Sequence, residues 1–100
     1  MNPRIAIPRE ETAAFCGRHR IRRLALFGSA LRDDYGPDSD IDVLVEFEPG
    51  APVGYIGLAG MEIELSRLYG GKVEMHTTTA LHPGYRDEVL REAQVLYEQA

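Results

Sequence analysis

Three short apolar segments predict the strands of a small sheet. They lie near residues 21 to 27, 40 to 48 and 72 to 77. In the second segment every other residue from Ile41 to Phe47 points to one face, and that face is wholly apolar. Asp40 and Asp42 share the opposite face, so we expect one face to be core and the other to begin with two acids.

Apolar positions at helical spacing predict helices around these strands. One helix begins near Pro8, a short second one follows Ser29, and two longer ones carry apolar stripes. The stripes are Leu58, Met61, Leu65, Leu68 and Tyr69 in the third helix, and Tyr85, Val89, Ala93, Leu96 and Ala100 in the fourth. We therefore expect an α/β fold in one domain over residues 1–100, with a short mixed sheet of about three strands flanked by about four helices.

The composition narrows the class of protein. The 100 residues are 44% hydrophobic and 27% charged, which is typical of a soluble globular protein. No apolar run approaches a membrane span and the first residues lack the apolar segment of a signal peptide, so we expect a cytoplasmic protein without a membrane partner. The net charge of −5 and the lack of an aromatic platform argue against direct nucleic-acid binding. Cys16 is alone, and we expect it to be buried.

Two further sequence features have both a structural and a functional interpretation. The basic run Arg18–Arg23 fits a solvated helix end and strand entrance, or a surface for phosphate or an acidic partner. The pair Asp40 and Asp42 fits two solvated acids at a strand entrance, or ligands for a divalent cation such as Mg²⁺, which binds carboxylates together with substrate phosphates.

Gly28 and Ser29 favour the second interpretation of the acids. Gly28 follows an apolar strand, and without a Cβ it lets a phosphate approach the backbone. Ser29 is a good helix N-cap residue, and the free N–H groups of a strand-to-helix corner bind anions. A phosphate-binding corner and a pair of metal-binding carboxylates on neighbouring strands predict a nucleoside triphosphate site.

Gly28-Ser29, ten intervening residues and Asp40-Ile41-Asp42 resemble the signature of the polymerase-β-type nucleotidyltransferases. Arg32, Asp38-Ser39 and the segment 43–47 narrow the resemblance to the minimal nucleotidyltransferase (MNT) family, over roughly residues 21 to 97. That family comprises antitoxins whose partner toxins are helical HEPN-domain ribonucleases. The resemblance implies transfer of AMP from ATP to a hydroxyl, a tyrosine in particular, of such a toxin, with two Mg²⁺ ions, or Mn²⁺ in their place.

The resemblance also implies a third acid on the third strand, and Glu74 is the candidate. Glu46 shares a face with Asp42 but lies about 13 Å along the same strand, too far to join a pair of metal ions about 4 Å apart. The family normally has aspartate where this chain has Glu74. Either the site has adjusted to the longer side chain, or catalysis is weaker, because displacements of about 1 Å can reduce rates roughly a hundredfold.

By this resemblance Asp40, Asp42 and Glu74 are the catalytic and metal-binding residues, and Gly28, Ser29 and Arg32 contact the nucleotide phosphates. Arg32 has an alternative role in pairing with nearby acids. His76 shares a face with Glu74 and is either a functional residue or a structural, hydrogen-bonded one. The competing function is a non-catalytic antitoxin that neutralises its toxin by complex formation and retains a vestigial nucleotide site.

Overall fold

The computed structural model describes residues 7–31, 36, 39–78 and 81–99, with the backbone alone at residues 29 and 30. Across this part of the chain three α-helices and four β-strands form. The helices are α1 (Arg9–Arg18), α2 (Tyr55–Tyr69) and α3 (Pro83–Glu92), and the strands are β1 (Ile21–Phe27), β2 (Ile41–Phe47), β3 (Val73–Thr77) and β4 (Gln94–Glu98). None of the helices in the described ranges is long and apolar enough to cross a membrane.

The strands form one mixed sheet in the order β3-β2-β1-β4. β1 pairs antiparallel with both β2 and β4, whereas β2 and β3 are parallel. Parallel neighbours require a crossover, and α2 provides it. The predicted α/β fold and mixed sheet are therefore confirmed, and so are the three predicted strands.

The end of the chain differs from the prediction. The last helix was expected to run to Ala100, but α3 ends at Glu92 and the backbone of Ala93 is extended, with ψ at 140°. Gln94–Glu98 instead forms β4, which pairs with the otherwise open edge of β1. The pairing provides hydrogen-bond partners for backbone N–H and C=O groups of β1. This long-range hydrogen bonding outweighs the helical tendency indicated by the spacing of Val89, Ala93 and Leu96.

The short second helix also differs. Gly28–Leu31 forms a single 3-10 segment that begins at a glycine with φ of +75°. Arg32, which was expected on the same short helix, lies outside the described residues. Among the described residues, three α-helices and the Gly28–Leu31 segment stand where the sequence predicts four helices.

Helices cover both faces of the sheet. α1 and α2 pack on one face, and α3 packs on the other. The first face includes Phe15, Leu24, Leu26, Ile41, Val43, Val45, Met61, Leu65, Tyr69, Val73 and Met75. The second consists of Ala25, Phe27, Leu44 and Val89, with Leu31, Leu81, Leu90 and Ala93 against them. The predicted apolar row of β2 and the buried Met61, Leu65 and Tyr69 of the α2 stripe are confirmed.

The outer edge of β3 is bonded to α2 rather than to another strand. The Ser66 hydroxyl accepts a hydrogen bond from the Val73 N–H at 2.9 Å and donates one to the Glu62 carbonyl at 2.6 Å. The Glu62 carboxylate accepts from the Met75 N–H at 2.7 Å. Both side chains are half-buried and protect an edge that would otherwise be open to another strand.

Acidic residues of the same chain pair with the basic run Arg18–Arg23. The pairs are Arg18–Glu64, His19–Glu64, Arg20–Glu48, Arg22–Glu46, Arg23–Glu46 and Arg23–Glu98, at 2.6 to 3.8 Å. These contacts favour the structural interpretation of the run, because its cations already face carboxylates.

We expect Ser66→Ala to destabilise the fold by about 1–3 kcal/mol, because it leaves the N–H of the buried Val73 without an acceptor. Chemical denaturation followed by circular dichroism measures the change. Arg67→Ala, at the neighbouring exposed position of α2, is the control and should change the free energy of unfolding by less than about 0.5 kcal/mol. Equal effects of the two substitutions would contradict this role for Ser66.

Cys16 should not react with thiol reagents in the folded protein. Its side chain is fully buried, and this burial raises the pKa of the thiol to about 12, so the reactive thiolate is scarce at neutral pH. Labelling with iodoacetamide, followed by mass spectrometry, should proceed in denaturant and be slow without it. Rapid labelling of the native protein would contradict the burial of Cys16.

Candidate active site

Three neighbouring strands each place one side chain in a single row across the sheet. Phe27 of β1 lies opposite Asp42 of β2, and Asp42 lies beside Glu74 of β3 in the parallel register. The next row contains Ala25, Leu44 and His76. All of these residues lie on the face that α3 covers in part, so the site borders the smaller of the two core layers.

Asp42, Glu74 and His76 bring their side-chain ligand atoms close together. The His76 Nε2–H donates a hydrogen bond to Asp42 Oδ1 at 3.1 Å, and the same nitrogen lies 4.0 Å from Glu74 Oε2. One ligand atom from each of the three residues lies within 4.8 Å of the others. The side chains are 23%, 43% and 34% exposed for Asp42, Glu74 and His76, so the cluster is anchored in the sheet yet open to a ligand.

The surroundings of His76 favour a positive charge on its ring. Its hydrogen bond to Asp42 raises the pKa of the imidazole, partial burial opposes that effect, and the negative charges of Asp42 and Glu74 raise the pKa further. The rings of Phe27 and His76 pack edge to face in a T-shaped arrangement, with their centroids 5.3 Å apart. Phe27 therefore limits the movement of the ring toward β1 while the carboxylates hold its Nε2 side.

Gly28 lies directly against the Asp42 carboxylate. Its φ of +75° is a left-handed conformation that favours glycine, and a Cβ at this position would come within 2.8 Å of Asp42 Oδ2. The backbone of the turn after β1 therefore lies so close to the Asp42 carboxylate that a residue with a Cβ would clash there. This contact joins the predicted phosphate-binding corner to the predicted carboxylates.

The other predicted site residues are placed as follows. Asp40 is half-buried immediately before β2, outside the set formed by Asp42, Glu74 and His76. Side chains two residues apart on one face of a strand lie about 6.5 Å apart, which explains why Asp40 is not part of this set. The backbone of Ser29 follows Gly28 in the 3-10 segment. Arg32 lies outside the described residues.

Two features of the site were incompletely predicted. His76 had both a functional and a structural interpretation, and the structure places it in contact with Asp42. The contact of Phe27 with His76 was missed. Its signal in the sequence was the position of Phe27 as the last strand residue before Gly28, on the face shared with the acids. Glu46, excluded by its distance, pairs with Arg22 and Arg23 instead.

The donor atoms of this site fit a divalent cation. Carboxylate oxygens are the ligands that Mg²⁺ and Mn²⁺ share, and an imidazole nitrogen is a ligand for transition metals. Two acids held side by side also repel each other, and a bound cation removes that repulsion.

Comparison with known proteins agrees with this geometry. The sequence model of the nucleotidyltransferase domain family matches residues 10–96. The protein named "Putative protein adenylyltransferase MJ0435" from Methanocaldococcus jannaschii is 36% identical over 76 residues, which are 76% of this chain and 80% of the relative. "Protein adenylyltransferase MntA" from Thermococcus cleftensis is 33% identical over 75 residues, covering 75% of this chain and 74% of the relative.

Solved structures share the fold. One, named "Structure of putative minimal nucleotidyltransferase", is 38% identical, covers 85% of both chains and superposes with a TM-score of 0.71. A chain from the complex of the tri-AMPylated Shewanella oneidensis HEPN toxin with its MNT antitoxin has a TM-score of 0.65 and covers 91% of this chain and 70% of its own. At 15% identity it shows the fold alone. The family match, the relatives and the 38% identical structure together show that the chain belongs to the nucleotidyltransferase domain family, and within it to the minimal nucleotidyltransferases.

Proposed function

We propose that this chain is a protein adenylyltransferase that moves AMP from ATP to a tyrosine hydroxyl of a HEPN ribonuclease toxin, and that it acts as the antitoxin of that toxin. The names of the M. jannaschii and T. cleftensis relatives support the reaction. The AMPylated toxin in the Shewanella complex supports the class of partner. Transfer breaks the bond between the α- and β-phosphates of ATP, joins AMP to the acceptor oxygen and releases pyrophosphate.

The observation that carries this proposal is the position of Glu74 beside Asp42, with the Gly28 backbone against Asp42. A nucleotidyltransferase needs carboxylates and a phosphate-binding turn within a few ångströms of one another. Here the parallel register places Glu74 next to Asp42, and the missing side chain of Gly28 lets the turn reach the same carboxylate.

Asp40, Asp42 and Glu74 would hold the Mg²⁺ ions of the reaction. When bound, such ions neutralise the charge that develops on the phosphates during an in-line displacement. The Glu74 carboxylate is the most exposed of the Asp42, Glu74 and His76 cluster, so its oxygens can accept the proton of an approaching hydroxyl. The longer side chain of Glu74 thus reaches the site from the position directly beside Asp42.

The turn after β1 would hold the phosphates that leave. Gly28 admits them to the backbone, and the N–H groups of the Gly28–Leu31 segment and the Ser29 hydroxyl are the proposed donors. Arg32 is the proposed cation beside them, with pairing to a neighbouring acid as its alternative role. The exposure of Glu74 and His76 leaves room for an acceptor that another protein supplies.

The proposal is tested with purified chain, MgATP labelled at the α-phosphate and a HEPN ribonuclease from the same organism as the candidate acceptor. We expect label on the ribonuclease and loss of its activity. Asp42→Asn keeps the shape of the side chain and an oxygen for His76, and should reduce transfer at least about a hundredfold, since removal of even an outer partner of a metal ligand lowers affinity 10–100-fold.

Glu92→Gln, an exposed acid at the end of α3, is the matched control and should transfer label normally. If no label moves but the ribonuclease is still inhibited in a stable complex, transfer is not the mechanism. The chain would then neutralise its partner by complex formation alone, with the carboxylates as a remnant of a nucleotide site.

Gly28→Ala should impair the transfer reaction without unfolding the protein. The left-handed backbone makes alanine unfavourable there by about 1–2 kcal/mol, and its Cβ would displace the Asp42 carboxylate. We expect transfer to fall at least about a hundredfold, as for a displacement of about 1 Å, in a protein that still folds cooperatively. The control is Gly17→Ala in α1, where a Cβ meets no atom within 4 Å. Normal transfer by Gly28→Ala would contradict the close approach.

A further inference from the structure

His76 is the member of the cluster to which the proposed reaction gives no role. Its Nε2 bonds Asp42 Oδ1 at 3.1 Å and lies 4.0 Å from Glu74 Oε2. The ring is half-buried and packs edge-on against Phe27. An imidazole needed only to hold Asp42 requires one carboxylate nearby, whereas this nitrogen has two within 4.0 Å.

The two distances from His76 Nε2 fit those between ligands on one six-coordinate ion. With metal–ligand bonds of about 2.1 Å, adjacent ligands lie about 3.0 Å apart and opposite ones about 4.2 Å apart. The Nε2 distances of 3.1 and 4.0 Å are close to these values, and all three ligand atoms lie within 4.8 Å of one another.

We propose that His76 is itself a metal ligand, so that Asp42, Glu74 and His76 form a mixed oxygen and nitrogen site that prefers Mn²⁺ to Mg²⁺. The inference deepens the proposed function, because it rests on a divalent cation at these acids. It goes beyond that function by assigning a nitrogen ligand and a metal preference to this chain.

The physical basis is the difference between the two ions. Mg²⁺ strongly prefers oxygen ligands and parts with water reluctantly, so an imidazole adds little to its binding. Mn²⁺ accepts carboxylates equally well, and as a transition metal it also gains from an imidazole nitrogen. An imidazole that binds through Nε2 carries its proton on Nδ1, so the present Asp42 contact is replaced by the ion.

His19 provides a comparison within the same chain. Its Nε2 also lies 2.9 Å from a carboxylate oxygen, that of Glu64, but it belongs to no set of three ligand residues among the described ranges. Hydrogen bonding to an acid is therefore common to both histidines, and the second carboxylate within reach is particular to His76.

The experiment measures metal binding without ATP or partner. Mn²⁺ is titrated into the full chain at pH 8 and followed by electron paramagnetic resonance, and Mg²⁺ affinity is obtained by competition. His76→Gln replaces the nitrogen with an amide that can still bond Asp42. We expect it to weaken Mn²⁺ binding at least about tenfold and Mg²⁺ binding less than about threefold. His19→Gln, the matched control, should change neither.

Equal weakening of both metals by His76→Gln would overturn the proposal and leave His76 as a positioning residue for Asp42. A second readout needs no variant. Electron spin echo modulation of the bound Mn²⁺ should show a coordinated ¹⁴N, replaced by ¹⁵N when the histidines alone carry ¹⁵N. Absence of that nitrogen from the wild-type spectrum would also overturn the proposal.

These measurements distinguish failure of the proposal from failure of the proposed function. If Mn²⁺ binds without a nitrogen ligand and the chain transfers AMP, the proposed role of His76 is wrong and the proposed enzyme stands. If Mn²⁺ binds with a nitrogen ligand but the chain transfers no AMP, the metal site stands and the proposed adenylyltransferase activity is wrong. No binding of either metal without ATP overturns the His76 proposal, and the transfer assay with MgATP then decides the adenylyltransferase separately.

Discussion

The parallel pairing of β2 with β3 forces two carboxylates, Asp42 and Glu74, to stand side by side at the edge of the sheet. Their ligand oxygens lie within 4.8 Å of each other, and two like charges at about that distance repel by about 1 kcal/mol in water and by more where burial lowers the effective dielectric constant. Something positive must compensate for this. In the structure His76 does so with its hydrogen bond to Asp42, and the same electrostatic demand makes the position attractive to a divalent cation.

The register that creates this repulsion is held in place by packing on both faces. α1 and α2 cover one face of the sheet, α3 covers part of the other, and Ser66 and Glu62 of α2 bond the outer edge of β3. A slip of one residue would turn the apolar row of β2 outward, so the core opposes it strongly. The same forces that bury the apolar residues therefore hold the carboxylates together, and the site gains its rigidity from the sheet.

Much of the fold could be predicted because it rests on local patterns. Every second residue from Ile41 to Phe47 is apolar, which indicates a strand with its acids on one face, and Gly28 marks the turn that approaches Asp42. β4 was missed because Val89, Ala93 and Leu96 recur at helical spacing, whereas the open edge of β1 that β4 satisfies lies about 70 residues earlier in the chain. Pairing between distant segments leaves no periodic signal at the segment itself.

The sequence by itself determined the family, the strand and turn that carry the site, and the chemistry that Gly28, Asp42 and Glu74 make possible, since these depend on residue type and short spacing. The tertiary structure alone decided which acids meet. Asp40, two residues from Asp42, stands outside the cluster, whereas Glu74 and His76, more than 30 residues away, lie within it. The reason is physical: strand register sets the distance between side chains on neighbouring strands, and only the packed sheet sets the register.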